Sequence, residues 1–146
     1  ATVTLAGGSQ QQALADLLRD RGREPRPVVV SVTVTRPQQG AFRFRKVSRV
    51  KPKGVSLMSI AANLPQATGR ISGARVAYGA MAETPIRVPA VEQALEGTTL
   101  DEAGIAQALA AATNGIDPPT DAIASSWYRK EVAPVHLKRL LLERPS

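Results

Sequence analysis

The spacing of apolar residues divides the chain into a β-rich first part and a helical second part. Up to about residue 82, β-branched and small apolar residues alternate with polar ones, as in strands. From about residue 88 onward, apolar residues recur every three or four positions, as in helices. Because strands precede helices, the pattern predicts an α+β fold with helices packed on an antiparallel sheet.

The strand segments predict an antiparallel β-meander of about four strands. The β-branched run VVVSVTVT at 28–35 ends before Pro37, and we expect it to form a hairpin with AFRFRKVSRV at 41–50. The run VSLMSIAANL at 55–64 is predicted to form a second hairpin with RISGARVAYGAMA at 70–82.

About three helices are predicted to cover this sheet. The first is VPAVEQALEG at 88–97, with proline in its first turn. The second is AGIAQALAAAT at 103–113, preceded by Thr99 and Glu102 as a capping box. The last is SSWYRKEVAPVHLKRLLLER, capped by one of its two serines and kinked or split at Pro134.

The composition excludes several kinds of site. With no cysteine, the chain forms no disulfide and offers no thiolate to a metal or a substrate. The single histidine, His136, lies among apolar residues of the last helix, where a packing or surface role is expected. Two acidic pairs, Asp101 with Glu102 and Asp117 with Asp121, are explained by a helix start and a proline-rich loop. We therefore predict no catalytic residue and no metal site.

No apolar run reaches the roughly 20 residues that span a bilayer, and the first residues lack a signal-peptide pattern. The sequence therefore predicts a cytoplasmic protein without a membrane segment.

Positive charge is concentrated in the first part of the chain. Residues 1–54 hold eleven Lys and Arg against three carboxylates, which gives +8, whereas the rest holds eight against nine, which gives −1. The strip FRFRKVSRVKPK at 42–53 contains six of these cations. Such a strip suits phosphates, an acidic partner or a solvated sheet edge. We expect Phe42 and Phe44 to face the core and Arg43 and Arg45 the other side. This disfavours nucleic acid, because the two phenylalanines could not stack on bases and the chain has only three other aromatic residues.

Three ordered motifs resemble one known family. They are FRFRKVSRVKPKGVSLMSIAANL, GRISGARVAYGAMAETPIRVPAVEQALEG and SSWYRKEVAPVHLKRLL. Together they resemble the C-terminal domain of the FAD-binding subunit of molybdenum hydroxylases, the xanthine dehydrogenase and carbon monoxide dehydrogenase family. The resemblance implies that residues 38–146 form this domain. It also implies that residues 1–37 are the tail of a preceding FAD-binding domain, with a strand, a short helix or loop, and a strand.

The resemblance also implies which residues approach the cofactor. Val29 matches an apolar contact in the strand before the domain, and Arg45 matches a basic contact after an aromatic residue. Lys46 is the adjacent alternative for that contact. Arg49 begins a variable loop, 49–54, that in some members of the family lies near the flavin.

The implied function is to help seat FAD while electrons pass from iron–sulfur clusters to an external acceptor. FAD would be shared with an N-terminal flavin domain, whose glycine-rich loops the chain does not contain. Molybdopterin would lie on a large subunit and [2Fe-2S] clusters on a small subunit. The chain would thus be a portion of an oxidoreductase, not catalytic by itself. The alternatives are a small basic binding module for nucleic acid or an acidic partner protein, and a scaffold of the same fold without the cofactor.

Overall fold

A computed structural model describes residues 1–6, 11–50 and 53–143 of the chain. The chain divides into two compact units, Ala1–Arg36 and Pro37–Ser146.

The first unit is a small antiparallel sheet with one short helix. Its elements are β1 (Thr2–Leu5), β2 (Gln11–Ala13), α1 (Leu14–Arg19) and β3 (Val29–Thr33). The sheet order is β2-β1-β3, so β1 is the central strand. Gly7 and Gly8, which follow β1 in the sequence, lie outside the described residues.

The predicted hairpin between segments 28–35 and 41–50 is wrong. The strand β3 pairs with β1, where Thr4 faces Ser31 and Val3 faces Val32. A β-branched run predicts a strand but does not choose its partner, because tertiary packing decides which strands pair. Eight residues separate β3 from the next strand, and this connection is too long and lacks the glycine-containing two-residue turn of a tight hairpin.

The second unit is a two-layer α+β domain, which confirms the predicted fold class. Its strands are β4 (Phe42–Ser48), β5 (Ser56–Asn63), β6 (Gln66–Ala67), β7 (Arg70–Ile71), β8 (Arg75–Gly79) and β9 (Ile86–Arg87). Its helices are α2 (Pro89–Leu95), α3 (Ala106–Ala110) and α4 (Ser126–Leu142). The main sheet has the antiparallel order β4-β5-β8-β9, with β6 and β7 forming a separate small hairpin.

One face of the main sheet packs against the helices and forms the core. Alternate residues of β5 and β8 point into this layer, because successive strand side chains point to opposite faces. The alternating buried residues are Met58, Ile60 and Ala62 of β5 and Val76 and Tyr78 of β8, and Leu57 of β5 is buried as well. The helices contribute Val91, Leu95, Ala108, Ala133, Leu137, Leu140 and Leu141, which are all buried.

The helix starts differ in part from the prediction. Ser125 caps α4 as expected, since its Oγ accepts the Tyr128 N–H at 3.1 Å. The helix α4 continues through Pro134 and is not split. The capping box is wrong: Glu102 pairs with Lys138 at 2.7 Å, and α3 is only five residues long. The small apolar residues favour a helix, and the short α3 that forms packs against α2 and α4.

A buried arginine fastens the start of α4 to the sheet. Arg129 is 1% exposed, and its Nε donates to the Leu57 carbonyl of β5 at 3.0 Å. Its Nη2 donates to both carboxylate oxygens of Asp121 at 2.9 Å, and its Nη1 donates to the Pro119 carbonyl. All three nitrogens of the guanidinium are thus satisfied, and they hold the α3–α4 connection, α4 and β5 together.

Candidate functional site

The edge strand β4 presents two chemically different faces. Phe42, Phe44 and Lys46 are exposed, whereas the intervening Arg43 and Arg45 are half-buried. This alternation places the aromatic rings and the arginines on opposite sides of the sheet, as predicted. Which side faces the core, however, is the reverse of the prediction.

The phenylalanines lie outside the core. Phe42 is 53% exposed and Phe44 is 58% exposed. The arginines face the helix layer because the end of α4 lies there and its last carbonyls need hydrogen-bond donors. Arg43 Nη1 donates to the Leu140 carbonyl at 3.0 Å and also to the Leu141 carbonyl. An edge strand can therefore bury its cations and expose its aromatic residues when a helix end supplies the acceptors.

Arg45 is held on the helix side by an ion pair with Glu143, the residue after α4. The imidazole of His136 lies near the same group. Burial lowers the pKa of His136, and the charges of Arg139 and Arg45 lower it further. The Arg45–Glu143 pair beside His136 therefore has a structural role, because the charge of Arg45 is already balanced by Glu143.

The opposite side of the main sheet carries small residues in its centre. The strand registers align Phe44 with Ala61 and Ala77, and Lys46 with Ser59 and Gly79. We call this side the open face, and it consists of Phe42, Phe44, Lys46, Ser59, Ala61, Asn63, Arg75, Ala77 and Gly79. In the described part of the unit, the helices pack on the other side.

The open face is flat in the middle and raised at the β4 edge. Gly79 permits this shape, because a Cβ at that position would collide with the Ser59 hydroxyl. The side-chain oxygen of Asn63 is shielded from solvent and has no hydrogen-bond partner within the described residues. A planar group or a second layer of protein can approach such a surface closely.

Lys46 is the cation of β4 that the open face presents. It is exposed and makes no hydrogen bond or ion pair with the described part of the chain. The two basic residues predicted to contact the cofactor therefore lie on opposite sides of the sheet. Arg45 lies beside Glu143 in the helix layer, and Lys46 lies on the same side as the exposed phenylalanines. The sequence showed that the two alternate, but it did not show which of them is free.

Arg49 lies apart, at the loop end of the sheet. It lines a cleft with Val50, Gly54, Val55 and Ile123. Lys51 and Pro52 of the predicted variable loop lie outside the described residues. Val29 lies on β3 of the first unit and is 44% exposed.

The far edge of the sheet holds an internal ion pair. Arg87 of β9 donates through Nε and Nη2 to the Glu92 carboxylate of α2, which also accepts the Val76 N–H at 2.9 Å. Burial alone would raise the pKa of Glu92, but the hydrogen bonds from Arg87 and Val76 outweigh it and lower that pKa. The Glu92 carboxylate therefore has a structural role, which is to hold α2 on the sheet.

Residues 1–6, 11–50 and 53–143 contain no group of three or more metal-ligating side chains. No helix in the same ranges is long and apolar enough to cross a membrane.

Comparisons with known proteins agree with this architecture. The family described as the CO dehydrogenase flavoprotein C-terminal domain matches residues 43–144. The glyceraldehyde dehydrogenase medium chain of Sulfolobus acidocaldarius is 30% identical over 92 residues, which make up 63% of this chain and 32% of that protein.

Solved structures share the fold over nearly the whole chain. A chain of quinoline 2-oxidoreductase from Pseudomonas putida 86 superposes with a TM-score of 0.83 and 27% identity, covering 97% of this chain and 50% of that one. A chain of the carbon monoxide dehydrogenase from Hydrogenophaga pseudoflava gives a TM-score of 0.74 at 22% identity, covering 96% and 50%. At that identity the second likeness shows the fold alone.

The two-layer fold and the match define the C-terminal domain of a flavoprotein. The chain belongs to the CO dehydrogenase flavoprotein C-terminal domain family, and the predicted resemblance is confirmed. The chain spans about half the length of these solved chains and about a third of the curated relative.

Proposed function

We propose that the chain is the C-terminal part of the FAD-binding subunit of a molybdenum-containing hydroxylase or dehydrogenase. Its role is to help seat FAD for electron transfer from iron–sulfur clusters to an external acceptor. The observation that carries this proposal is the family match across residues 43–144. The enzyme would be cytoplasmic, with molybdopterin on a large partner subunit and [2Fe-2S] clusters on a small one.

The same family match supports a proposal for how the subunit is divided into domains. We assign residues 38–146 to the C-terminal domain and residues 1–37 to the tail of the preceding FAD-binding domain. The preceding domain would hold the pyrophosphate of FAD on glycine-rich loops, since backbone N–H groups at such loops bind phosphate oxygens. In this proposal the chain shares the cofactor with a domain of which it contains only the tail.

The open face is the surface that best fits a flavin. Phe44 offers an exposed aromatic ring beside the flat floor of Ala61 and Ala77, and aromatic rings stack on planar ring systems. Lys46 offers an unpaired cation on the same side, which attracts the anionic parts of the cofactor. When FAD is bound, its ring system supplies the redox chemistry, and these side chains bind and orient it.

The other residues predicted to contact the cofactor have different roles in this proposal. Arg45 carries the basic position of the family pattern, but its guanidinium is paired with Glu143 in the helix layer. We therefore assign the direct contact to Lys46 and a supporting role to Arg45. Val29 stays a predicted apolar contact of the preceding strand, and Arg49 stays a predicted cofactor contact at the loop end of the sheet.

A titration with FAD tests the proposed function. We expect the full-length subunit to bind one FAD per chain, and the isolated 146-residue chain to show no saturable binding at the same concentrations. A folded full-length subunit that takes up no FAD would contradict the proposal. Equal affinity of the isolated chain would contradict the sharing of the cofactor with a preceding domain.

A further inference from the structure

A cleft at the loop end of the main sheet is not lined by Phe44 or Lys46, the residues to which the direct flavin contact is assigned. It has a volume of about 370 Å³ and is lined by Arg49, Val50, Gly54, Val55 and Ile123. Four of these residues belong to the connection between β4 and β5, and Ile123 belongs to the connection between α3 and α4. The cleft therefore lies between a sheet loop and the helix layer, beside the start of α4, and apart from the centre of the open face.

The cleft is apolar inside and its apolar side chains remain accessible. Val50 is 65% exposed and Val55 is 68% exposed. The loop keeps its tight shape at Gly54, where the N–H donates to the Val50 carbonyl at 2.9 Å and a Cβ would collide with that same oxygen. Accessible apolar groups around a preformed hollow are typical of surfaces that bind a partner.

Positive charge lies at the cleft and next to its lining: Arg49 lines the cleft, and Lys53 directly precedes Gly54 of the lining. Arg49 and Lys53 are exposed, and neither forms an ion pair with the described residues. The sequence holds no carboxylate between Glu24 and Glu83, so no acidic side chain of the neighbouring strands can neutralise them. The complementary surface is therefore acidic at its border and apolar at its centre.

We propose that this cleft docks an acidic segment of a partner subunit, with one apolar side chain inserted between Val50 and Val55. Carboxylates on either side of that side chain face Arg49 and Lys53. This inference rests on the proposed function, because it takes the occupant from the subunits with which the flavin subunit assembles.

Two other occupants fit less well. A small ligand needs a few polar groups that fix its orientation, and among the five lining residues only Arg49 has a polar side chain. Single-stranded nucleic acid needs aromatic side chains for stacking, and none of the lining residues is aromatic.

Subunit assembly tests the docking surface directly. The full-length flavin subunit is produced as wild type and as Val55→Glu and Arg49→Glu variants, and each is titrated with the purified partner subunits. We expect each variant to raise the dissociation constant of the complex by at least about tenfold. The matched control is Val135→Glu on α4, where the valine is 46% exposed and lies outside the cleft. We expect this control to change the constant by less than about twofold.

Three results would overturn the inference. The first is wild-type affinity in both cleft variants, and the second is an equal loss in the Val135→Glu control. The third is salt-sensitive binding of a single-stranded oligonucleotide that Arg49→Glu abolishes while assembly is unchanged. Thermal unfolding of each variant confirms that it is folded, and Arg49→Glu changes an exposed side chain. FAD content is measured in the same samples: a wild-type subunit without FAD contradicts the proposed function, whereas assembly alone decides the role of the cleft.

Discussion

The Arg129→Ala variant is expected to lose about 3 kcal/mol of unfolding free energy, a large part of the roughly 5–15 kcal/mol that stabilises a typical domain. The substitution removes the hydrogen bonds to the carbonyls of Leu57 and Pro119 and to the carboxylate of Asp121. It also leaves a cavity at a position that is 1% exposed. Chemical denaturation of the 146-residue chain, followed by circular dichroism, measures the loss.

The neighbouring residue gives the matched control for this prediction. Lys130 lies on the same helix and makes no ion pair or hydrogen bond within the described ranges. We expect Lys130→Ala to change the unfolding free energy by less than about 0.5 kcal/mol. Equal stability of the Arg129→Ala and Lys130→Ala variants would show that the buried guanidinium does not hold α4 to β5.

The second large effect concerns FAD affinity in the full-length subunit. We expect Phe44→Ala and Lys46→Ala each to raise the FAD dissociation constant about tenfold, which corresponds to about 1.4 kcal/mol. Phe44→Ala removes an exposed ring from the open face, and Lys46→Ala removes the exposed, unpaired cation that β4 places there. Fluorescence titration of the flavin-free subunit provides the measurement.

Arg45→Ala is the control for this pair, because it removes a cation one residue away on the opposite side of the strand. Its guanidinium is engaged by Glu143, so its loss should affect the helix layer and change FAD affinity by less than about threefold. A larger loss of affinity in Arg45→Ala than in Lys46→Ala would reverse the assignment of the two faces.

The order of strands and helices was predictable, because hydrophobic periodicity reports local structure. The alternating run at 55–64 and the glycine-rich run at 70–82 became β5 and β8, which pair as expected. The last helix was equally clear, with Ser125 at its start. These elements are long, and their periodicity matches the conformation that they adopt.

Two features were less predictable: which strands pair, and which side of a strand faces the core. Both depend on distant parts of the chain. The strand β3 pairs with β1, a choice that its uniformly β-branched sequence does not encode. The faces of β4 follow from the position of the end of α4, almost a hundred residues later, whose carbonyls accept from Arg43. The general preference for buried aromatic residues pointed the wrong way there. The sequence nevertheless contained a signal for this orientation. Arg43 and Arg45 alternate along β4, and such a row of guanidinium groups can supply the hydrogen-bond donors that the last carbonyls of a helix need.

Arg129 illustrates a residue whose role the sequence did not show. It stands in a polar stretch of α4, next to Lys130 and Glu131, where a solvent-exposed arginine is the usual expectation. Its burial follows from three acceptors that come together only in the folded unit, on β5 and on the α3–α4 connection. No local sequence pattern indicates that these three acceptors will meet around one side chain.

Hydrogen–deuterium exchange of the full-length subunit, with and without FAD, tests the central claim most directly. The claim is that the open face of this domain meets the flavin. We predict that FAD slows exchange of the backbone amides of β4, Phe42–Ser48, more than exchange in α4, Ser126–Leu142. FAD binding that leaves exchange in β4 unchanged would contradict the account.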